Sequence, residues 1–184
     1  KIMIHDYAYI DDLLSWEECK YIRNYGHRKC KESLVEGAQV HDSRQSKNCF
    51  IQSNVKNKKI KSIMEKVVRM YFFIATDFFK FPMAIIEPIQ YAEYDKGMFY
   101  KKHADSGLEI DRDISAPVIL SDRKKYEGGE LKFGHIKSPM EEKLGRMIVF
   151  PSAMQHEVLP VEKGRRSSLV LWGRRDLADD KKAD

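Results

Sequence analysis

The sequence has few cysteines and lacks a paired cysteine motif. Its 184 residues include three cysteines, Cys19, Cys30 and Cys49, which are widely spaced and odd in number. No C-x-x-C pair occurs, which argues against a cysteine zinc site or a dithiol redox centre. Three unpaired thiols are typical of a reducing compartment, so we expect a cytoplasmic protein.

Long apolar runs, repeats and a strong charge excess are also absent. No apolar run approaches the roughly 18 residues that span a bilayer, and the start does not resemble a signal peptide. We therefore expect no membrane partner. The 33 basic and 28 acidic residues give a formal charge of +5, which is too mild to indicate a nucleic-acid partner.

Helical patterns occupy the first part of the chain. The segment "DDLLSWEECKYIRN" (11–24) predicts a helix, with Ser15 as N-cap and Glu18 three residues later, as a capping box requires. Apolar residues at three- and four-residue steps predict a second helix over 55–80.

Short β-rich runs follow, at 83–94, 114–122, 128–133, 145–152 and 166–173. Pro88 and Pro117 are expected at sheet edges or bulges, and Gly128 and Gly129 at a turn with positive φ and a close approach of chains. The order predicts a mainly β protein with supporting helices: a jelly roll, or double-stranded β-helix, packed by N-terminal helices. We expect one domain over 1–175, with helical support and the first strands in 1–80 and the jelly roll in 81–175. A charged tail would occupy 176–184.

Three residues could form a metal site. If "YKKHADSG" (100–107) is a strand, His103 and Asp105 point the same way. An H-x-D triplet is weak by itself, and an ordinary surface pair is the favoured interpretation. His156 follows a strand pattern and a turn, and the jelly roll could bring it beside His103. Two histidines and one carboxylate leave three positions of an octahedral ion open, the ligand set of non-haem Fe(II) oxygenases.

An arginine ten residues after His156 favours the metal site. Arg166 is the first residue of the apolar strand "RSSLVLWG". Burying a cation there costs free energy unless it pairs with an anion. A planar guanidinium binds a carboxylate through two parallel hydrogen bonds. Ser168 lies on the same strand face and could add a hydroxyl. We expect Arg166 to be desolvated by three apolar side chains, Val149, Leu169 and Leu171.

Three segments carry a family resemblance: "YDKGMFYKKHAD", "YEGGELKF" and "GRMIVFPSAMQHEVLPVEKGRR". They resemble the 2-oxoglutarate- and Fe(II)-dependent dioxygenases, most closely the prolyl 4-hydroxylase-like branch of prolyl/lysyl type, from about Ile89 to Trp172. The resemblance implies that the catalytic and metal-binding residues are His103, Asp105 and His156. It also implies that Arg166 and Tyr94 bind the far carboxylate of 2-oxoglutarate.

The resemblance implies hydroxylation of a C–H bond with release of succinate and CO2. The cofactors would be Fe(II), 2-oxoglutarate as co-substrate and O2, with ascorbate as a stimulating reductant. The substrate would be a protein or peptide side chain, with proline the first choice by analogy.

Two alternatives remain open: oxidative demethylation of nucleic acid, and a non-catalytic metal-binding jelly roll. A demethylase predicts a basic, aromatic-lined groove, which the sequence does not show. We expect Tyr126 and Glu130 at the cavity entrance, Trp172 in its wall, and substrate selection by the loops 31–48, 106–114 and 134–142. The oligomeric state is not indicated.

Overall fold

The computed structural model describes residues 3–4, 6–33, 43–107 and 110–175. The charged tail 176–184 and residues 34–42, half of the loop 31–48, lie outside these residues, as do two histidines, His5 and His41. Two α-helices are described, α1 Trp16–Ser33 and α2 Lys58–Asp77. The strands are β1 Met3–Ile4, β2 Ala8–Ile10, β3 Arg44–Gln45, β4 Lys47–Ile51, β5 Met83–Ile86, β6 Ile89–Asp95, β7 Phe99–His103, β8 Ile114–Ile119, β9 Tyr126–Gly128, β10 Leu131–Phe133, β11 Met147–Pro151, β12 His156–Val158 and β13 Val161–Arg175.

The strands form two antiparallel sheets. The larger runs in the order β1-β2-β11-β8-β13-β6-β4, with β5 and β9 also paired to β13. The smaller runs β10-β12-β7-β3. Side chains from β6, β8 and β13 of the larger sheet and from β7 and β12 of the smaller sheet line one cavity. The prediction of a mainly β jelly roll with supporting helices is confirmed.

Both helices begin where local chemistry predicts. In α1, the Ser15 N–H donates to the Glu18 carboxylate at 2.8 Å, and the Glu18 N–H donates to the Ser15 hydroxyl at 3.2 Å. These reciprocal bonds form the predicted capping box. Before α2, the Asn57 side chain accepts from the Ile60 N–H at 3.0 Å. The helix bounds differ from the predicted ones. Helix α1 extends past the predicted end at residue 24 to Ser33, and α2, Lys58–Asp77, is shorter than the predicted 55–80.

The helices pack on the outer face of the larger sheet. Their apolar faces form one core cluster with side chains of β8, β11 and β13, including Val149, Leu169 and Leu171. The prediction that these three residues desolvate Arg166 is therefore wrong. Successive side chains of a strand point to opposite faces, so Leu169 and Leu171 of β13 face the helices while Arg166 faces the cavity.

The two prolines differ in position. Pro88 lies between β5 and β6, outside both strands, where it interrupts the run 83–94 instead of lying at an edge or bulge within it. Pro117 lies in β8, which is an interior strand between β11 and β13, so the prediction of an edge or bulge is wrong. Pro117 is opposite Val170 of β13, whereas β8 pairs with β11 through flanking residues such as Ser115 and Val118. Because successive N–H groups of a strand point to opposite neighbours, one proline removes a bond toward only one of them.

The glycine pair before β10 has the predicted backbone role. Gly128 and Gly129 both have φ of 71°. A Cβ on Gly128 would lie 2.2 Å from the Pro160 carbonyl oxygen. Two such atoms cannot approach this closely, so any other residue would clash with the backbone. Glycine at this turn lets the chain before β10 pass close to the segment that enters β13.

No described helix is long and apolar enough to cross a membrane.

Candidate metal and co-substrate site

The predicted triad comes together at the ends of two paired strands. His103 ends β7, and His156 begins β12 directly opposite it in the strand register. Asp105 lies beyond β7, so strand alternation is not what orients it. Its N–H instead donates to the Ser152 carbonyl at 2.9 Å. One ligand atom from each of the three residues lies within 4.8 Å of the others.

Both histidines are held in the same orientation. The Nδ1 atom of His103 lies 2.8 Å from the Lys101 carbonyl oxygen, and that of His156 lies 2.9 Å from the Met154 carbonyl oxygen. A carbonyl can only accept, so Nδ1 carries the hydrogen and Nε2 keeps its lone pair in each neutral ring. The two Nε2 atoms lie 3.5 and 3.6 Å from the oxygens of Asp105. Two nitrogens and one carboxylate oxygen therefore converge with lone pairs available, which fits a divalent transition metal.

A second layer of hydrogen bonds holds the carboxylate. The Ser115 hydroxyl donates to Asp105 at 2.7 Å and lies 2.8 Å from the Ser152 hydroxyl. Such outer partners orient the ligands of metal sites. Burial alone would raise the pKa of Asp105, but its contacts with His103 and His156 hold that pKa well below its usual range. Burial lowers the pKa of His156. Both effects favour the ionised carboxylate and the neutral imidazole that metal binding needs.

The triad opens into a cavity of about 150 Å³ between the sheets. Arg166 and Tyr94 both line this cavity, as does Ser168. The guanidinium carbon of Arg166 lies 5.6 Å from the centre of the Tyr94 ring, and its Nη1 lies 3.3 Å from the Ser168 hydroxyl. The structure therefore brings both predicted co-substrate residues to the cavity that holds the triad.

Arg166 has an anionic partner that the sequence did not reveal. Glu142 accepts from Arg166 Nη2 at 2.6 Å and from Nε at 3.1 and 3.2 Å. The side chain of Arg166 is 2% exposed and that of Glu142 is fully buried. Although burial would lower the pKa of Arg166, its pairing with Glu142 raises that pKa above the usual value. The arginine is thus permanently charged in a buried setting.

Aromatic side chains complete the cavity wall. Trp172 lines it, as predicted, and its indole N–H is buried near Asp105 without a well-aligned hydrogen bond. The Tyr100 ring stacks on His103, with centroids 3.5 Å apart. Two further arginines line the cavity, and the sequence analysis did not identify either of them as a site residue. Arg44 lies over Tyr100 and Arg112 over Trp172, at 4.6 and 4.0 Å from the ring centres.

Several expected entrance and loop residues have other roles. Tyr126 is 2% exposed, and its hydroxyl donates to Glu142 at 2.5 Å, so the prediction that it forms the entrance is wrong. Glu130 pairs with Arg123. Glu142 belongs to a segment predicted to select substrate, yet it is buried behind Arg166. The remaining described histidines lie outside the cavity: His27 contacts Glu93, and His135 contacts Asp6.

The sequence of the β-rich part matches a known family. Residues 89–174 match the model of the 2OG-Fe(II) oxygenase superfamily. A PKHD-type hydroxylase of Methylobacterium nodulans is 33% identical over 113 residues, covering 54% of this chain and 48% of the relative. A PKHD-type hydroxylase of Synechococcus sp. is 36% identical over 96 residues, covering 48% and 43%. The matched segment thus spans about half the length of these curated relatives.

Solved structures share the fold over nearly the whole chain. A prolyl-4-hydroxylase of Pseudomonas putida has a TM-score of 0.74 at 22% identity, covering 94% of both chains. A prolyl hydroxylase from Trichoplax adhaerens has a TM-score of 0.74 at 16% identity, covering 97% of this chain and 87% of the other. At these identities the likeness establishes the jelly-roll fold. Together, the family match over residues 89–174, the PKHD-type relatives and the prolyl hydroxylase fold support the 2OG-Fe(II) oxygenase superfamily, with likeness to its prolyl 4-hydroxylase branch.

Proposed function

We propose that this chain is an Fe(II)- and 2-oxoglutarate-dependent dioxygenase that hydroxylates a C–H bond. 2-Oxoglutarate and O2 would be consumed, succinate and CO2 released, and one oxygen atom placed on the substrate, with ascorbate as a stimulating reductant. One observation carries the proposal: two fixed imidazole Nε2 atoms and one buried carboxylate converge beside a cavity that Arg166 also lines. That donor set leaves positions open on a metal for a co-substrate.

Each residue would have a distinct task. His103, Asp105 and His156 would hold one face of the Fe(II), which when bound supplies the oxygen-activating chemistry. Arg166 would bind the far carboxylate of 2-oxoglutarate, with Tyr94 beside it. Three apolar side chains of the lining, Leu131, Phe150 and Val158, would limit water in the cavity. Lower water content strengthens the attraction between a guanidinium and a carboxylate.

The substrate would be a protein or peptide side chain, with proline the first choice. In support, the Trichoplax adhaerens prolyl hydroxylase was solved with a peptide fragment of the hypoxia inducible factor oxygen degradation domain. A cytoplasmic location, expected from the cysteine content, stays a prediction.

Metal and co-substrate binding test the site directly. Anaerobic titration of the full chain with Fe(II) and 2-oxoglutarate should give a metal-to-ligand charge-transfer band. Asp105→Ala should abolish this band and succinate formation, because it removes the only carboxylate of the triad. His135→Ala is a matched control, since its side chain is 48% exposed and contacts Asp6 outside the cavity. Normal succinate formation by Asp105→Ala would refute the triad assignment, and absence of the band in the wild type would favour a non-catalytic module.

Product analysis tests the substrate class. Cell extract or a proline-containing peptide library would be incubated with Fe(II), 2-oxoglutarate and O2 and then analysed by mass spectrometry. A gain of one oxygen on proline, dependent on 2-oxoglutarate, supports the proposal. Loss of a methyl group from a nucleic-acid base would instead assign the chain to demethylation.

A further inference from the structure

Glu142 and the cavity lie on different sides of the Arg166 guanidinium. Arg166 and Ser168 line the cavity, whereas Glu142 does not. Glu142 engages the Nε and Nη2 side of the guanidinium, and Ser168 lies next to Nη1. The carboxylate of Glu142 is therefore behind Arg166 as viewed from the cavity, and the Nη1 side is directed toward the cavity.

The donor inventory of Arg166 leaves room for a second carboxylate. A guanidinium has five N–H donors, one on Nε and two on each terminal nitrogen. Glu142 takes the Nε donor and one on Nη2, and Ser168 takes one on Nη1 at the long distance of 3.3 Å. One N–H on Nη1 and one on Nη2 remain. Those two donors are what a carboxylate in the cavity could accept.

Glu142 is itself fixed from two sides. The Tyr126 hydroxyl donates to one carboxylate oxygen at 2.5 Å, and the Leu131 N–H at the start of β10 donates to the other at 3.2 Å. Its location is thus set by the sheet and not by the flexible stem of Arg166. An arginine side chain has several rotatable bonds, and a fixed partner removes that freedom before a ligand arrives.

We propose that Glu142 is a positioning residue for the co-substrate, holding one edge of Arg166 so that its remaining donors meet the far carboxylate of 2-oxoglutarate. This proposal rests on the proposed function, since it concerns the co-substrate of the same site. It predicts that the position of Glu142, more than its charge, determines how strongly the cavity prefers a keto acid with a second carboxylate.

The test compares the binding of two keto acids to the Mn(II)-loaded 184-residue chain by calorimetry, which measures binding without turnover. 2-Oxoglutarate carries the far carboxylate and 2-oxopentanoate lacks it, so the ratio of their dissociation constants reports the Arg166 contact. The wild type should prefer 2-oxoglutarate by about 10- to 100-fold, the range for a hydrogen bond between charged groups. If the wild type shows no preference, the proposed function fails before the role of Glu142 is addressed.

Two substitutions separate position from charge. Glu142→Asp keeps the charge but withdraws the carboxylate by one methylene, so we expect the preference to fall by about tenfold while 2-oxopentanoate binding stays within about threefold. Glu142→Gln keeps an acceptor oxygen at the same reach for Nη2 and the Leu131 N–H, while its NH2 group can donate to the Tyr126 hydroxyl. It should retain the preference within about threefold. Glu141→Asp is the matched control, because its side chain is 71% exposed and lies one residue away.

The outcomes decide between positioning and structure. A wild-type preference in Glu142→Asp would overturn the proposal and assign the residue a purely structural role. An equal loss in Glu142→Gln and Glu142→Asp would overturn it in favour of charge. If Glu142→Asp does not fold, Tyr126→Phe replaces it. Removing the hydroxyl that anchors Glu142 should lower the preference by about threefold, and an unchanged preference would again overturn the proposal.

Discussion

Gly129 creates the space that the stem of Arg166 occupies. The φ of Gly129 is 71°, and a Cβ built there would lie 2.8 Å from Val161 Cγ2 and 3.1 Å from Arg166 Cδ. Gly97 provides a matched comparison, because its φ is 85° and a Cβ would meet nothing within 4 Å. The substitutions Gly97→Ala and Gly129→Ala therefore share the backbone strain and differ in the contact with Arg166.

The expected magnitudes follow from these two contributions. A left-handed conformation costs an L-residue roughly 1–2 kcal/mol, so Gly97→Ala should lower the free energy of unfolding by about that amount. Overpacking adds roughly 1–3 kcal/mol, because Val161 is buried and can give way little. We therefore expect Gly129→Ala to lower the free energy of unfolding by about 3 kcal/mol in total.

Two assays check this reasoning. Urea unfolding followed by tryptophan fluorescence gives the stability difference between the two variants. Calorimetry with 2-oxoglutarate gives the effect on Arg166, and we expect at least about tenfold weaker binding for Gly129→Ala, since displacing a positioned group by an ångström can cost up to about 100-fold. Gly97→Ala should bind like the wild type. Equal stability losses in both variants, together with unchanged co-substrate affinity, would refute the argument.

Three further substitutions test the metal layer and the helices. Ser115→Ala removes the 2.7 Å bond to Asp105 and should weaken Fe(II) binding by about 10- to 100-fold in a metal titration; unchanged affinity would contradict an orienting role. Gly26→Ala would place a Cβ 2.4 Å from the buried Tyr91 ring, so despite the better helix propensity of alanine we expect a loss of about 1–3 kcal/mol in urea unfolding, and a stabilised protein would contradict this. Ser15→Ala removes the cap of α1 and should cost about 1 kcal/mol by the same measurement; a change near zero would show that the cap does not contribute.

Features set by neighbouring residues were predictable from the sequence. The capping box at Ser15 and Glu18 depends on residues three apart, and the apolar period of α2 depends on steps of three and four. Strand alternation placed Arg166, Ser168 and Trp172 on one face, and all three line the cavity. The family resemblance supplied the residues that the structure now brings together at the triad.

Features set by distant residues were not predictable. Glu141 and Glu142 are chemically identical neighbours in a polar segment, yet one side chain is 71% exposed and the other fully buried. What separates them is contact with Tyr126, Leu131 and Arg166, which lie 11 to 24 residues away in sequence. The interior position of Pro117 likewise depends on which strands flank β8, and no local pattern contains that information.

The pairing of Arg166 with Glu142 is better explained by ligand binding than by stability. Adjacent Arg165 is 43% exposed and pairs with the partly exposed Asp95 and with Glu93, and an ion pair with a solvent-exposed partner contributes little. Burying an arginine and a glutamate together costs desolvation that their attraction only about repays, and well-packed apolar residues of similar volume are often as stable. An apolar pair at 142 and 166 would avoid this desolvation, although it would leave the Tyr126 hydroxyl and the Leu131 N–H without the acceptor that Glu142 supplies. It would not leave N–H donors facing the cavity, and those donors are what the carboxylate of a co-substrate requires.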